Sequence, residues 1–179
     1  MNKIRMKTTI LLIAIFMISA MASIAIPIAA AQPQEITIEN IQAQTRYWPD
    51  GSLMHVVNPS QTSFELRLTG NVLHGEWSYS PDVTDLEGEE YVLVYNKESD
   101  IWILREGTVE YTSPYSGYHV IEFWEGYLKL DESFNIIEGE FRQDGYSDDP
   151  VNYPWAVWDS GKGLWHLGYS IYTHTASVT

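Results

Sequence analysis

Beyond about residue 32, apolar and polar positions alternate with a period of two, and β-branched or aromatic residues fill the apolar slots. This is the pattern of half-buried strands, not of helices. Residues 35–48 carry Ile36 and Ile38, then Ile41, Ala43 and Tyr47; the change of phase predicts a strand with a bulge near Asn40. Pro49-Asp50-Gly51 marks a turn. A short strand over 53–57 is expected to stop at Asn58-Pro59-Ser60. Another follows over 63–68, with Phe64, Leu66 and Leu68 on one face and Glu65 and Arg67 on the other. Gly70-Asn71 interrupts before a strand over 72–79.

Three hairpins come next, each across about five turn-forming residues. Residues 91–95 pair with 101–105, 118–130 with 136–143, and 155–158 with 164–173, while a strand over 108–112 bridges the first two hairpins. The acidic stretch 80–90 reads as the main loop. Within 164–174, Trp165, Leu167, Tyr169 and Ile171 share one side, and His166, Gly168, Ser170, Tyr172 and His174 the other. Two amphipathic faces, with glycines inside strand patterns at 126, 139 and 168, suggest strands that bend as a sheet curls over. The fold class expected is all-β: a single antiparallel meander β-barrel, which removes exposed edges, with a β-sandwich as the alternative. Gly75-Glu76-Trp77 and Gly139-Glu140-Phe141 share a Gly-Glu-aromatic pattern.

The N-terminus breaks the pattern. Lys3, Arg5 and Lys7 precede an uncharged run over 8–31 that ends in Ala29-Ala30-Ala31. A basic head, apolar middle and small-residue exit form a secretory signal, with the cut expected after Ala31 and an earlier site at Ala20-Met21-Ala22. The alternative is a retained anchor, since the run is long enough to span a bilayer as a helix. The organisation expected is a signal helix over 1–31 and one all-β domain over 32–179, secreted or otherwise outside the cytoplasm.

Composition narrows the function classes. The chain has no cysteine, so disulfides, thiolate metal sites, cysteine nucleophiles and lipid attachment at the cut are excluded. Three of the ten basic residues lie in the leader and none of the 24 acidic ones do, leaving the domain at a formal charge of −17. That surface repels nucleic acid and anionic membranes, so membrane contact is expected only through the N-terminal segment if it is uncleaved.

No catalytic, metal or cofactor motif stands out, and none is assigned. There is no Gly-x-Ser-x-Gly elbow. Glu122 and Glu125 around Trp124, or Glu138 and Glu140 on one strand face, are the only carboxylate pairs posed for acid–base work, and solvent-facing strand acids explain them equally. Acidic clusters at Asp82, Asp85, Glu87, Glu89 and Glu90, and at Asp144, Asp148 and Asp149, lack calcium-loop spacing. The five histidines include His166 and His174 on one expected strand face, too far apart to share a metal directly.

Aromatic content is the most informative feature. Seven Trp stand beside 12 Tyr and 5 Phe. Rings offer large contact area at small entropic cost, and Trp and Tyr add a polar handle. Four tryptophans crowd one part of the chain, so Trp124, Trp155, Trp158 and Trp165 are the candidate ligand-binding residues. The first expectation is therefore a secreted binding or carrier module holding an apolar or saccharide ligand in an aromatic-lined barrel. The alternatives are a cell-surface structural or adhesive domain without a small ligand and, more remotely, a barrel-type enzyme without a motif. A cavity beside these tryptophans separates the first from the second.

Overall fold

The computed structural model describes residues 33–77, 90–114, 117–148 and 153–177. Ten strands run in order: β1 (Gln34–Tyr47), β2 (Leu53–Thr69), β3 (Val72–Glu76), β4 (Glu90–Asn96), β5 (Ile101–Glu106), β6 (Thr108–Thr112), β7 (His119–Leu130), β8 (Ile136–Ser147), β9 (Val157–Asp159) and β10 (Leu164–Ala176). Every pairing is antiparallel. Eight strands form the wall in the order β1-β2-β3-β4-β5-β7-β8-β10, and β10 pairs back onto β1 to close it. The closing ladder runs from Asn40↔Ala176 to Tyr47↔Tyr169. The fold is thus a closed barrel and not a sandwich. β6 pairs with β7 beyond β5, and β9 is a short flap on β10.

The expected hairpins at β4–β5 and β7–β8 form as read. The third forms only beside its turn: β9 makes the pairs Asp159↔Leu164, Trp158↔Trp165 and Val157↔His166, and beyond them β10 runs between β8 and β1. The strands expected over 53–57 and 63–68 are one strand, β2, that passes through Pro59. Val57 opposes Gln44 and Ser60 opposes Gln42, so Asn58 and Pro59 face Ala43 in a bulge, a position where a missing N–H is tolerated. The bulge expected near Asn40 is therefore absent there; Asn40 keeps its phase, paired with Thr62 and Ala176. What changes along β1 is the polarity of the inward positions, from Ile36 and Ile38 to Asn40 and Gln44, all buried. β3 ends at Glu76. The acidic stretch 80–89 and the leader over 1–31 lie outside the described residues, and Glu90 opens β4.

One end of the barrel interior is filled by aliphatic side chains. Ile38, Leu66, Leu73, Leu93 and Leu128 are almost completely buried, each worth about 1.5–3 kcal/mol in water-removed area. Trp102 closes this end, lying 5.2 Å from the ring of Tyr95 and 6.4 Å from that of Phe134. Phe134 sits at φ 63° in a turn held by Asp131, whose Oδ1 accepts the N–H groups of Ser133 and Asn135 at 2.8 Å. Asn135 Nδ2 donates to Oδ2 at 2.9 Å, and this bond first, with the backbone ones after it, holds the Asp131 carboxyl below its usual range.

Candidate functional site

The middle of the barrel is not filled. A cavity of about 820 Å³ lies between the aliphatic end and a polar half, with Phe64, Tyr91, Leu104, Trp124, Phe141 and Tyr172 among its walls. Two local features make the space. On its β3 side, β2 is paired only from Leu66 to Thr69, and among the described residues no strand pairs with β2 on that side before Leu66. Both faces of β2 consequently line the cavity from Thr62 to Arg67, and among the described residues it opens through the wall beside that strand. At Gly75, a Cβ would overlap the ring of Tyr91; the missing side chain lets that ring lie across β3.

A chain of rings runs along one side of the cavity. Trp77 contacts Tyr91 at 4.8 Å and Trp124 at 5.1 Å, and Trp124 stacks on Tyr172 at 5.1 Å with 28° between planes. These distances are those of favourable aromatic pairs. The repeated Gly-Glu-aromatic pattern acquires a physical meaning here. Gly75 makes room for Tyr91, and Gly139 makes room for Leu128 beside His174. The aromatic two residues on, Trp77 or Phe141, lines the cavity.

Polar side chains in the other half form three hydrogen-bonded groups, as burial requires. In the first, Asn40, fully buried, donates through Nδ2 to the carbonyls of Ile38 (3.3 Å) and Thr62 (3.4 Å). Its Oδ1 accepts from the Thr62 hydroxyl at 3.0 Å and lies 2.9 Å from His174 Nδ1. In the second, Gln44 Nε2 donates to the Tyr172 hydroxyl (2.8 Å) and to Ser170 Oγ (3.2 Å), and Tyr172 donates to Gln143 Oε1 at 3.2 Å. Burial, with the Glu122 carboxylate adding to it, pushes the Tyr172 phenol up to about 12. In the third, Glu122, 2% exposed, accepts from the Tyr111 hydroxyl at 2.7 Å and from the Trp124 indole N–H at 3.0 Å. A buried carboxylate thus fixes the tilt of the ring that lines the cavity.

His174 belongs to the cavity wall. It is 3% exposed and held between Phe64, 5.0 Å away, and Phe141, 5.5 Å away. Burial lowers its pKa from 6.5 to about 4, so the ring is neutral near pH 7. At the opening stand Glu35, Glu65, Glu76 and Glu90, against Arg67, which is paired with Glu90 at 2.8 Å. A smaller cavity of about 360 Å³ lies across Tyr172, lined by Arg46, Glu122, Gln143 and Ser170 among others.

The tryptophans singled out from sequence fall into two places. Trp124 lines the central cavity. Trp158 and Trp165 meet edge-on at 5.3 Å on the β9–β10 flap, and Trp155 contacts Trp48 at 5.5 Å beside it; none of these three is in the cavity wall. Trp155 and Trp158 are 42% and 51% exposed. Trp77, Tyr91, Tyr172 and His174 join Trp124 instead, from strands far apart in sequence. Of the carboxylate pairs, Glu122 points inward while Glu125 is exposed, and Glu138 and Glu140 are both exposed. His166 and His174 do not share a face. The β8–β10 register shifts between His166 and Gly168, leaving His166 stacked on Tyr146 and 3.3 Å from Asp144, apart from the His174 group. Among the described residues no cluster of three or more acidic or histidine side chains is placed to hold a metal ion. Family models, curated proteins and solved structures alike contain no match to this chain.

Proposed function

We propose that this protein is an extracytoplasmic carrier that holds a small, flat, largely apolar molecule inside the barrel. The observation that carries the reading is the cavity of about 820 Å³ walled by Phe64, Trp77, Tyr91, Trp124, Phe141 and Tyr172. Its size lies in the range of small-molecule sites, and its wall has their composition of aromatic surface with a few polar groups. An apolar ligand is favoured over a saccharide. A sugar needs many partners for its hydroxyls, and beside the rings the Thr62 hydroxyl and the Trp124 N–H are already engaged within the protein, with Asn40 and Glu122. The leader read at residues 1–31 accounts for the location.

Native mass spectrometry of the protein purified from its own host tests this reading. The expected spectrum shows a chain beginning at Gln32 and an added mass that leaves on collisional activation. A bare chain that also fails to bind the apolar fluorophore N-phenyl-1-naphthylamine overturns it. The surface-adhesive alternative draws on a different observation, the exposed Leu53, Val56, Val157 and Trp158, and needs no cavity; a protein that binds no apolar probe but loses attachment to cell surfaces on Trp158→Ala decides for it.

A further inference from the structure

Two histidines line the cavity, His74 and His174, and the free ring nitrogen of the second restricts the ligand. His74 Nδ1, buried without a hydrogen-bond partner, instead lies 3.7 Å from the Glu90 carboxylate. Asn40 is fixed in orientation: its Nδ2 faces the carbonyls of Ile38 and Thr62, and its Oδ1 receives the Thr62 hydroxyl. The flipped amide would set an oxygen against two carbonyl oxygens. Oδ1 is therefore the atom that faces His174 Nδ1 at 2.9 Å, and Nδ1 must carry the proton. The neutral ring then presents an Nε2 lone pair, for which the described residues supply no donor, in the wall of the cavity between Phe64 and Phe141. Gln42, the register partner of His174 on β1, lines the same wall and is half-buried, whereas His174 is 3% exposed.

From this we infer that His174 selects the cargo: the ligand of the barrel is a flat apolar ring compound bearing a hydroxyl or N–H donor that is received by His174 Nε2. The inference rests on the carrier reading and goes beyond it by naming the ligand class. A donorless analogue, such as an ether, covers Nε2 without pairing it, which costs about as much as a lost hydrogen bond. The acids at the opening work against anionic ligands in addition: four carboxylates stand there with one arginine that is already paired. Like charge at an access route lowers the local concentration of an anion.

Calorimetric titration of the full chain at pH 7 with 2-naphthol and with 2-methoxynaphthalene tests the inference. The two share ring size and differ in the donor. The unmodified protein is expected to bind 2-naphthol about tenfold more tightly, the equivalent of one unpaired buried acceptor, and His174→Phe is expected to bind the two equally. Equal affinity in the unmodified protein, or a preference that survives His174→Phe, overturns the inference while leaving the carrier reading standing. Failure of both compounds to bind overturns the carrier reading, and the inference with it. Should His174→Phe not fold, nitrogen-15 NMR of the unmodified protein decides. The His174 Nε2 resonance moves upfield with 2-naphthol and not with 2-methoxynaphthalene if the donor is received there; an unmoved resonance in the 2-naphthol complex overturns the inference.

Discussion

The two halves of the barrel interior are built on the same strands to different rules. At the end closed by Trp102, β1 turns Ile36 and Ile38 inward to meet Leu66, Leu73, Leu93 and Leu128, and the space is full. Further along, β1 turns Asn40 and Gln44 inward, β10 turns Ser170, Tyr172 and His174 inward, and β7 contributes Glu122. The first half is held by apolar area, which is non-directional and tolerates no void. The second is held by oriented hydrogen bonds, which maintain a shape without filling it. A chain that needs both a stable barrel without disulfides and an internal cavity can divide the two tasks along the length of its strands.

Breaking the filled half has the largest expected effect. Leu73 and Leu93 are fully buried, so Leu73→Ala and Leu93→Ala should each lower the unfolding free energy by about 2–5 kcal/mol in denaturant titrations. Losses below about 1 kcal/mol would mean that this half is not tightly packed.

Acid sharpens the comparison from the other side. The His174 pKa is near 4 in the folded barrel against an ordinary 6.5. Between those values the unfolded chain takes up a proton that the folded one refuses. The His174 contribution to stability is therefore complete above about pH 6.5, falls as pH drops, and levels off below about pH 4. The loss is on the order of 3 kcal/mol. It should appear as a difference between the unmodified protein and His174→Phe in unfolding curves measured across that window; parallel curves would place His174 in contact with solvent.

The smallest effect belongs to the surface. Val157, 53% exposed on the β9 flap, touches neither half, and Val157→Thr should alter the melting free energy by no more than about 0.5 kcal/mol. A larger change would reveal a structural role for the flap that its three ladder pairs do not suggest.

The wall was legible in the sequence and its contents were not. Period-two alternation and the five-residue turns located β4–β5 and β7–β8, and the glycines at 126 and 168 marked bends, both standing at positive φ. The misreadings have a common physical origin. Treating apolar as inward makes the change at Asn40 look like a bulge, when the strand keeps its phase and the interior changes polarity. Pro59 looks like a break because a proline in a paired strand usually is one; here it occupies the bulge opposite Ala43. The crowding of tryptophans over 124–165 is a proximity in sequence. In the barrel the cavity draws Trp77 from just beyond β3, Tyr91 from β4, Trp124 from β7 and His174 from β10, a set that only closure brings together. The one local hint was the Gly-Glu-aromatic pattern at 75–77 and 139–141, whose glycines yield space to neighbouring side chains.

A crystal structure of the protein soaked with 2-naphthol tests the division of the barrel most directly. The account places the bound ring in the central cavity between Trp124 and Phe141, with its hydroxyl against His174 Nε2 and the aliphatic end unchanged. A ring seated instead on Trp155, Trp158 and Trp165, or a central cavity found closed by its own side chains, would contradict it.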